Sequence, residues 1–256
     1  QRTRKIIDLF LPSIGLKKSM FGKLKNKIHI LQNIYLKNKY LIPKKSYSMD
    51  GEDLSIIKYV ENKKKGFYVD VGAHHPIHRN NTLLLFKKGW EGINIDINKF
   101  SIDLFQYLRP QDLNIQVAVT DKTGHISIFF QKDFSQLNTT DKVVAKEHFG
   151  ENFKEKVVKS ETIQNILDNS KFQNKKIDFL NIDVEGAEEK VLETLDFNIY
   201  DPTVICVEIL GYRLLDKHER ELKIKNSKIY NFLTTKKYKK VWSGQNFCSH
   251  IFVKNN

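Results

Sequence analysis

Short β-type runs alternate with stretches of helical periodicity from Tyr47 onward, and this alternation limits the folds open to the chain more than any other feature. The runs FYVDVG (from Phe67), GINID (from Gly92), IQVAV (from Ile115), IDFLNID (from Ile177) and TVICVEIL (from Thr203) are rich in Val, Ile and Phe. Runs apolar at nearly every position suit strands buried on both faces. Between them lie DLSIIKYVEN, TLLLFKKGW, KFSIDLFQYLRP, SETIQNILDN and EEKVLETLD, each with apolar residues at helical spacing. The order β-α-β-α predicts an α/β fold of Rossmann-like type, with a doubly wound, mostly parallel sheet. Two segments interrupt it: GHISIFFQ, expected as an added hairpin strand after the DKTG turn, and residues 133–157, expected as a polar, partly helical insertion. The runs YKKVWSG and NFCSHIFVK predict a C-terminal antiparallel pair.

Composition matters chiefly through where the charge lies. The net charge is +13, yet residues 1–48 hold 12 Lys or Arg against the single acid Asp8, so they carry +11 and the other 208 residues only +2. The basicity belongs to an arm, and two domains follow: a basic helical N-terminal arm over 1–48 and a catalytic domain over 49–256. In the arm Phe21, Leu24, Ile28, Leu31, Ile34 and Tyr35 fall at helical spacing between lysines, which predicts an amphipathic helix; KIIDLFL precedes it. Such an arm is either a solvated or packing extension or a peripheral contact for an anionic membrane, a phosphorylated substrate or nucleic acid. No apolar run reaches the length that spans a bilayer and no signal-peptide pattern opens the chain. Two cysteines, Cys206 and Cys248, suggest neither a disulfide framework nor a zinc site. The expectation is a soluble cytoplasmic protein, with attachment to the inner membrane face through the arm as the alternative. A chain that opens on Gln1 instead of Met is compatible with a piece of a longer one.

In an open α/β sheet the ligand lies beyond the carboxyl ends of the strands. Here the first strand ends in Asp70-Val71-Gly72, the second in Asp96, the fourth in Asp183 with Glu185 beyond it, and the fifth in Glu208. Carboxylates gathered at one edge cost desolvation and mutual repulsion unless a ligand or metal uses them. Asp96 follows Gly72 by 24 residues, about where a nucleotide-binding sheet supplies an acid for ribose hydroxyls. The turn reads Gly72-Ala73-His74-His75-Pro76-Ile77, without the further glycines that a pyrophosphate requires, so nicotinamide dehydrogenases are disfavoured. S-adenosylmethionine, which has a ribose and an amino-acid tail but no pyrophosphate, satisfies the pattern. Gly72 then admits close backbone approach to the ligand, and Asp70 either orients the tail's ammonium or caps the turn.

The segments YSMDGEDLSII, GFYVDVGAHHP, NNTLLLFKKGWEGINIDIN, NIQVAVTD, SQLNTT and IDFLNIDVEGAEEKVL occur in that order, and together they resemble the FkbM family of S-adenosylmethionine-dependent methyltransferases from about Tyr47 to Leu210. The resemblance implies a class I methyltransferase that O-methylates sugar or other natural-product hydroxyls, and its GAHHP variant is similar to enzymes of bacterial surface polysaccharide biosynthesis. It places Asp70, Gly72 and Ala73 about the methionine portion, with Asp96 and Ile97 at the ribose and adenine edge. Ala118 and Val119 come beneath the adenine. Glu52 reaches the same pocket or serves its own helix N-terminus, and Asn81 and Thr82 either touch the cofactor or begin a helix.

Methyl transfer to a hydroxyl needs alignment and one proton acceptor. Asp183 and Glu185 are the expected base pair. His75 and His78 are expected at the substrate, with Pro76 aiming His75, while His74 packs beside the cofactor and His250 is a core residue. Arg79 suits a phosphate-bearing substrate such as a nucleotide sugar. A divalent metal on Asp183, Glu185 and Glu208 is the alternative means of taking the proton, one that the sequence does not require. A homo-oligomer is compatible with the sequence. The competing function is RNA methylation through the basic arm, against which stand the nearly neutral main domain and its lack of interleaved stacking aromatics. A catalytically silent scaffold is disfavoured by intact Asp70, Gly72, Asp96 and Asp183.

Overall fold

The computed structural model describes residues 18–131, 139–209, 217–245 and 249–255. Two compact units are present, Gln1–Pro43 and Lys44–Asn256. The division falls ahead of the 48/49 boundary expected from charge, because Tyr47 already belongs to the second unit. Its backbone N–H donates to Asp53 and its carbonyl accepts from the Asn80 N–H.

In the first unit α1 (Lys18–Leu31) runs into a π-helical segment, Gln32–Lys37. The expected amphipathic helix is therefore seen from Lys18; KIIDLFL lies outside the described residues. The second unit begins with α2 (Glu52–Val60), β1 (Phe67–Val71), α3 (Leu83–Lys87), β2 (Glu91–Asp96), α4 (Lys99–Leu108) and β3 (Leu113–Gln116). It continues with β4 (Ala118–Val119), β5 (Gly124–Phe130), α5 (Lys142–Phe149), β6 (Lys154–Glu161), α6 (Ile163–Asp168) and β7 (Phe179–Ile182). It ends with α7 (Glu188–Glu193), β8 (Val204–Glu208), α8 (Lys217–Lys225), α9 (Lys228–Thr235), β9 (Tyr238–Ser243) and β10 (Ser249–Lys254).

The main sheet has the order β3-β2-β1-β7-β8-β10-β9, parallel from β3 to β8 and antiparallel at β10 and β9. This is the doubly wound sheet with a terminal antiparallel pair that the alternation predicts. Every residue of β1 is buried, and the period of two sends them to different cores. Phe67, Val69 and Val71 join Ile163, Leu167, Val191 and Leu233 on one face, and Tyr68 joins Ile56, Leu85, Trp90 and Ile251 on the other. Helices thus cover both faces. The strand order reverses between β1 and β7, the place where an open sheet splays its loops apart and leaves a crevice.

Two expectations change. IQVAV is not one strand: β3 stays in the main sheet, while β4 pairs with β6 in a second sheet of order β4-β6-β5. The supposed polar insertion contains α5 and the first half of the strand β6 (Lys154–Glu161), which lies antiparallel along the whole of β5. GHISIFFQ is a strand, as expected, and its antiparallel partner begins in the segment read as insertion and runs past its end.

Candidate active site

A cavity of about 390 Å³ opens at the carboxyl ends of β1, β2, β7 and β8. Of the residues expected to meet a cofactor, Glu52, Asp70, Gly72, Ala73, His74, Asn81, Asp96, Ile97, Ala118 and Val119 line it, and Thr82 does not. Asp183, Glu185 and Glu208 line it as well; His75 and His78 do not. Asn80, Asn181, Thr140, Met49 and Ser249, which sequence reasoning did not single out, also line it, as does Arg79.

Gly72 has φ of +81°, and a Cβ there would lie 1.7 Å from the carbonyl oxygen of Asp183. The glycine is dictated by the neighbouring strand end: β1 and β7 converge so tightly that their backbones leave no room for a methyl group. Gly72 also lines the cavity, as expected of a residue that admits close approach of a ligand. The carboxylate of Asp70 is buried, with Oδ1 accepting from Asn181 Nδ2 at 2.9 Å and Oδ2 from Asn80 Nδ2 at 3.3 Å and Thr82 Oγ1 at 3.0 Å. Burial pushes its pKa up, and these three donors with the Arg109 charge oppose that rise. Thr82, expected at the cofactor or as a cap, is a buried strut for Asp70.

Behind this strut stands Arg109, a residue the sequence reading passed over as the tail of a helix. Its buried guanidinium lies about 5 Å from the Phe86 and Phe105 ring centres, at 4.9 and 5.0 Å. It donates to Thr82 Oγ1 at 2.8 Å, Asn80 Oδ1 at 2.9 Å, the Pro76 carbonyl at 2.6 Å and the Tyr68 hydroxyl at 3.3 Å. One buried cation thereby pins the 76–82 loop and, through Asn80 and Thr82, the carboxylate of Asp70. A side chain with five donors in a fixed fork can do this where lysine cannot.

Asp96 closes β2 with its two oxygens divided between two backbone N–H groups: Oδ2 accepts from His74 at 2.8 Å and Oδ1 from Asn98 at 2.6 Å. Partial burial pushes its pKa up to about 6, with the Asp70 charge adding to the rise. The bond to Asp96 comes at a bend where His74 adopts φ of +50°. Each oxygen keeps acceptor capacity for a hydroxyl, and the apolar side chains of Ile95, Ile97, Val117, Ala118 and Val119 border the same cavity.

The Asp183-Val184-Glu185-Gly186 turn reverses the chain after β7, with φ of +56° at Glu185 and +106° at Gly186. The Glu185 carbonyl accepts from Thr139 Oγ1, so the second sheet is tied to this turn. Glu188 then folds back and accepts from the Val184 and Gly186 N–H groups. Burial and the Asp183 charge push the Glu188 carboxyl up to about 7. As a result the carboxylates that converge are Asp183, Glu188 and Glu208, with ligand atoms within 4.8 Å of one another. Glu185, expected in that set, lines the cavity but is replaced in the cluster by Glu188. Among the described residues these three can hold a hard divalent cation.

The histidine assignments also change. His75 is buried, and its Nδ1 accepts the backbone N–H groups of Ile77 at 3.0 Å and His78 at 3.1 Å. The imidazole is a clasp for the turn that Pro76 creates. His78, outside the cavity, lies edge-on to it with ring centres 6.4 Å apart. His250 is a core residue as expected: it meets Ser243 Oγ through Nδ1 at 2.9 Å, and burial pulls its pKa down to about 4.

The family model for the methyltransferase FkbM domain matches residues 70–232. No curated protein matches the sequence. Among solved structures the chain is similar to methyltransferase FkbM from Methylobacillus flagellatus KT, with TM-score 0.46, 10% identity, and 92% of this chain and 60% of that one covered. It is also similar to an O-methyltransferase from Bacillus cereus in complex with SAH, with TM-score 0.43, 12% identity and coverage of 98% and 97%. A third is a TehB-like SAM-dependent methyltransferase from Corynebacterium glutamicum ATCC 13032 Kitasato, with TM-score 0.42, 10% identity and coverage of 90% and 97%. The chain thus spans 60% of the length of the Methylobacillus protein. With the family model extending over well more than half of its residues, from β1 into α9, the chain belongs to the FkbM methyltransferase family.

Proposed function

We propose that this chain transfers the methyl group of S-adenosylmethionine to a hydroxyl of a sugar or nucleotide sugar, in the assembly of bacterial surface polysaccharide. The observation that carries the reading is the charge of the cavity: six carboxylates, Glu52, Asp70, Asp96, Asp183, Glu185 and Glu208, line it against the single guanidinium of Arg79. Such a wall attracts a sulfonium and an ammonium. The donor's parts also find matching chemistry: Asp96 offers acceptors for a ribose diol, the Ile97, Val117, Ala118 and Val119 side chains an apolar bed for adenine, and Asp70 an acceptor for the ammonium.

When bound, the donor supplies a methyl already activated as an electrophile. The protein's part is to orient the acceptor hydroxyl and remove its proton. Asp183 borders the cavity and is exposed, so it is the base we assign. Neutral polyols are rich in donors and suit a wall rich in carboxylate acceptors, and the Arg79 guanidinium in the same wall suits a phosphate of the carrier. RNA is the weaker reading because its phosphates would face those acids.

The test is incubation of the protein with methyl-labelled donor and a panel of nucleotide sugars and RNAs, with mass spectrometry of the products. Transfer to a nucleotide sugar and not to RNA is the expected result; labelled RNA with unlabelled sugars would reverse the assignment. Repeating the reaction after metal chelation distinguishes the two ways of taking the proton. Retained activity leaves it to Asp183, and loss restored by magnesium assigns a cation to Asp183, Glu188 and Glu208.

A further inference from the structure

The first unit has a surface that nothing in the proposed chemistry uses. Leu36 is 72% exposed, Leu41 75% and Ile42 52%, and the two leucines are the most exposed large aliphatic side chains among the described residues. They are not scattered. Leu36 lies in the π-helical segment and Leu41 and Ile42 in the turn after it, where the Ile42 N–H donates to the Lys39 carbonyl and the Tyr40 N–H to the Ile34 carbonyl. Tyr35 and Tyr40 meet edge to face with ring centres 6.4 Å apart, which ties the two ends of this patch together. Lys37 and Lys39 fall within it, Lys23, Lys25 and Lys27 precede it on α1, and residues 18–43 contain no acid at all.

We propose that this patch inserts into the headgroup region of an anionic lipid leaflet, with Leu36, Leu41 and Ile42 entering the acyl boundary and the lysines resting among the phosphates. Paired tyrosines with an apolar body and a polar tip suit that depth. Charge decides between occupants. A second copy would bring two lysine-bearing segments that contain no acid face to face, which repels. A nucleic acid would satisfy the lysines but leave three exposed aliphatic side chains in water. Only an anionic bilayer meets both demands.

The experiment is co-sedimentation of the full chain with vesicles of equal parts phosphatidylglycerol and phosphatidylcholine, and with phosphatidylcholine alone, at low and high salt. The wild type should bind the anionic vesicles, lose binding as salt rises, and bind neutral vesicles weakly. Replacing Leu36, Leu41 and Ile42 together by Ser should lower partitioning by about a hundred-fold or more. Lys37→Glu with Lys39→Glu should cost about five-fold or more per site. Both variants should keep wild-type affinity for S-adenosylhomocysteine, which shows that they fold. Wild-type sedimentation of the triple-serine variant would overturn the proposal, as would equal binding to neutral vesicles. A dimer in light scattering that the same substitutions convert to monomer would assign the patch to self-association. Retardation of a polynucleotide that the lysine variant loses and the serine variant keeps, without vesicle binding, would assign it to nucleic acid.

Discussion

Replacing Asp96 by Ala separates ligand recognition from folding, because the two contributions of this carboxylate to stability nearly cancel. Folding raises its pKa from 3.8 to about 6, so the fold prefers the protonated form. The penalty for the charged form is therefore absent well below pH 3.8, grows between 3.8 and 6, and is complete above 6. A shift of this size corresponds to about 3 kcal/mol at pH 7. The alanine variant is relieved of that penalty, in which the bonds to the His74 and Asn98 N–H groups are already counted, but it leaves those two donors without their acceptor, at about 1–3 kcal/mol each. The net change in stability should stay within about 2 kcal/mol, with the variant soluble and folded. Binding has no such compensation. Two ribose hydroxyls donating to one carboxylate contribute about 3–6 kcal/mol together, so affinity should fall by about 10²–10⁴. Calorimetric titration with S-adenosylhomocysteine between pH 5 and 8 reads both effects. Wild-type affinity should climb as pH rises toward about 6 and level off above it, and the variant should show no such climb. Binding by the variant within about five-fold of wild type, or a wild-type profile flat across this range, would refute the ribose assignment.

Other residues give sharper single outcomes. Gly72→Ala sets a Cβ 1.7 Å from the Asp183 carbonyl oxygen at a φ of +81°, so urea unfolding should show a loss of about 3 kcal/mol or more; an unchanged midpoint would mean that the β1–β7 approach is looser than described. Asp183→Asn should lower kcat by about 10²–10⁴ while donor affinity, measured by titration, stays as in the wild type. Weakened donor binding with normal turnover would remove Asp183 as the base. His75→Ala should lower stability by about 1–3 kcal/mol through its two lost backbone bonds, with kcat unchanged once the protein is saturated. A large fall in kcat at full folding would return His75 to the chemistry.

How far the sequence discloses this molecule depends on which forces act locally. Strands buried on both faces are apolar at most positions, so β1, β2, β7 and β8 are plain in the sequence, and so are the acids at their ends, since an open α/β sheet sends those ends to one edge. β6 is not plain. Its residues KEKVVKSE are mostly exposed, and a strand at the surface of a small sheet needs no apolar face to reveal it; only its partner β5 does. The split of IQVAV is similarly hidden. Val117 remains tied to β2, its N–H donating to the Asp96 carbonyl, yet the next two residues turn to a different sheet, and nothing in their side chains marks the departure.

At the site the readings that fail share a cause. Pro76 restricts its predecessor's backbone, which the sequence shows, but the direction of the His75 ring is set by two N–H groups that become available only once the turn has formed. Glu185 and Glu188 are both acids after the same strand, and their exchange of roles follows from positive φ at Glu185 and Gly186, which carries one carboxylate out of the cluster and brings the other back. Arg109 is the extreme case. An arginine before a proline at a helix end looks solvated, and its burial makes sense only when Asn80, Thr82, Pro76 and Tyr68, all far away in sequence, are seen to supply its acceptors. A buried cation must be satisfied by the tertiary structure that encloses it. Such groups are therefore both the least visible in a sequence and the ones on which the placement of Asp70, and with it one wall of the cavity, depends.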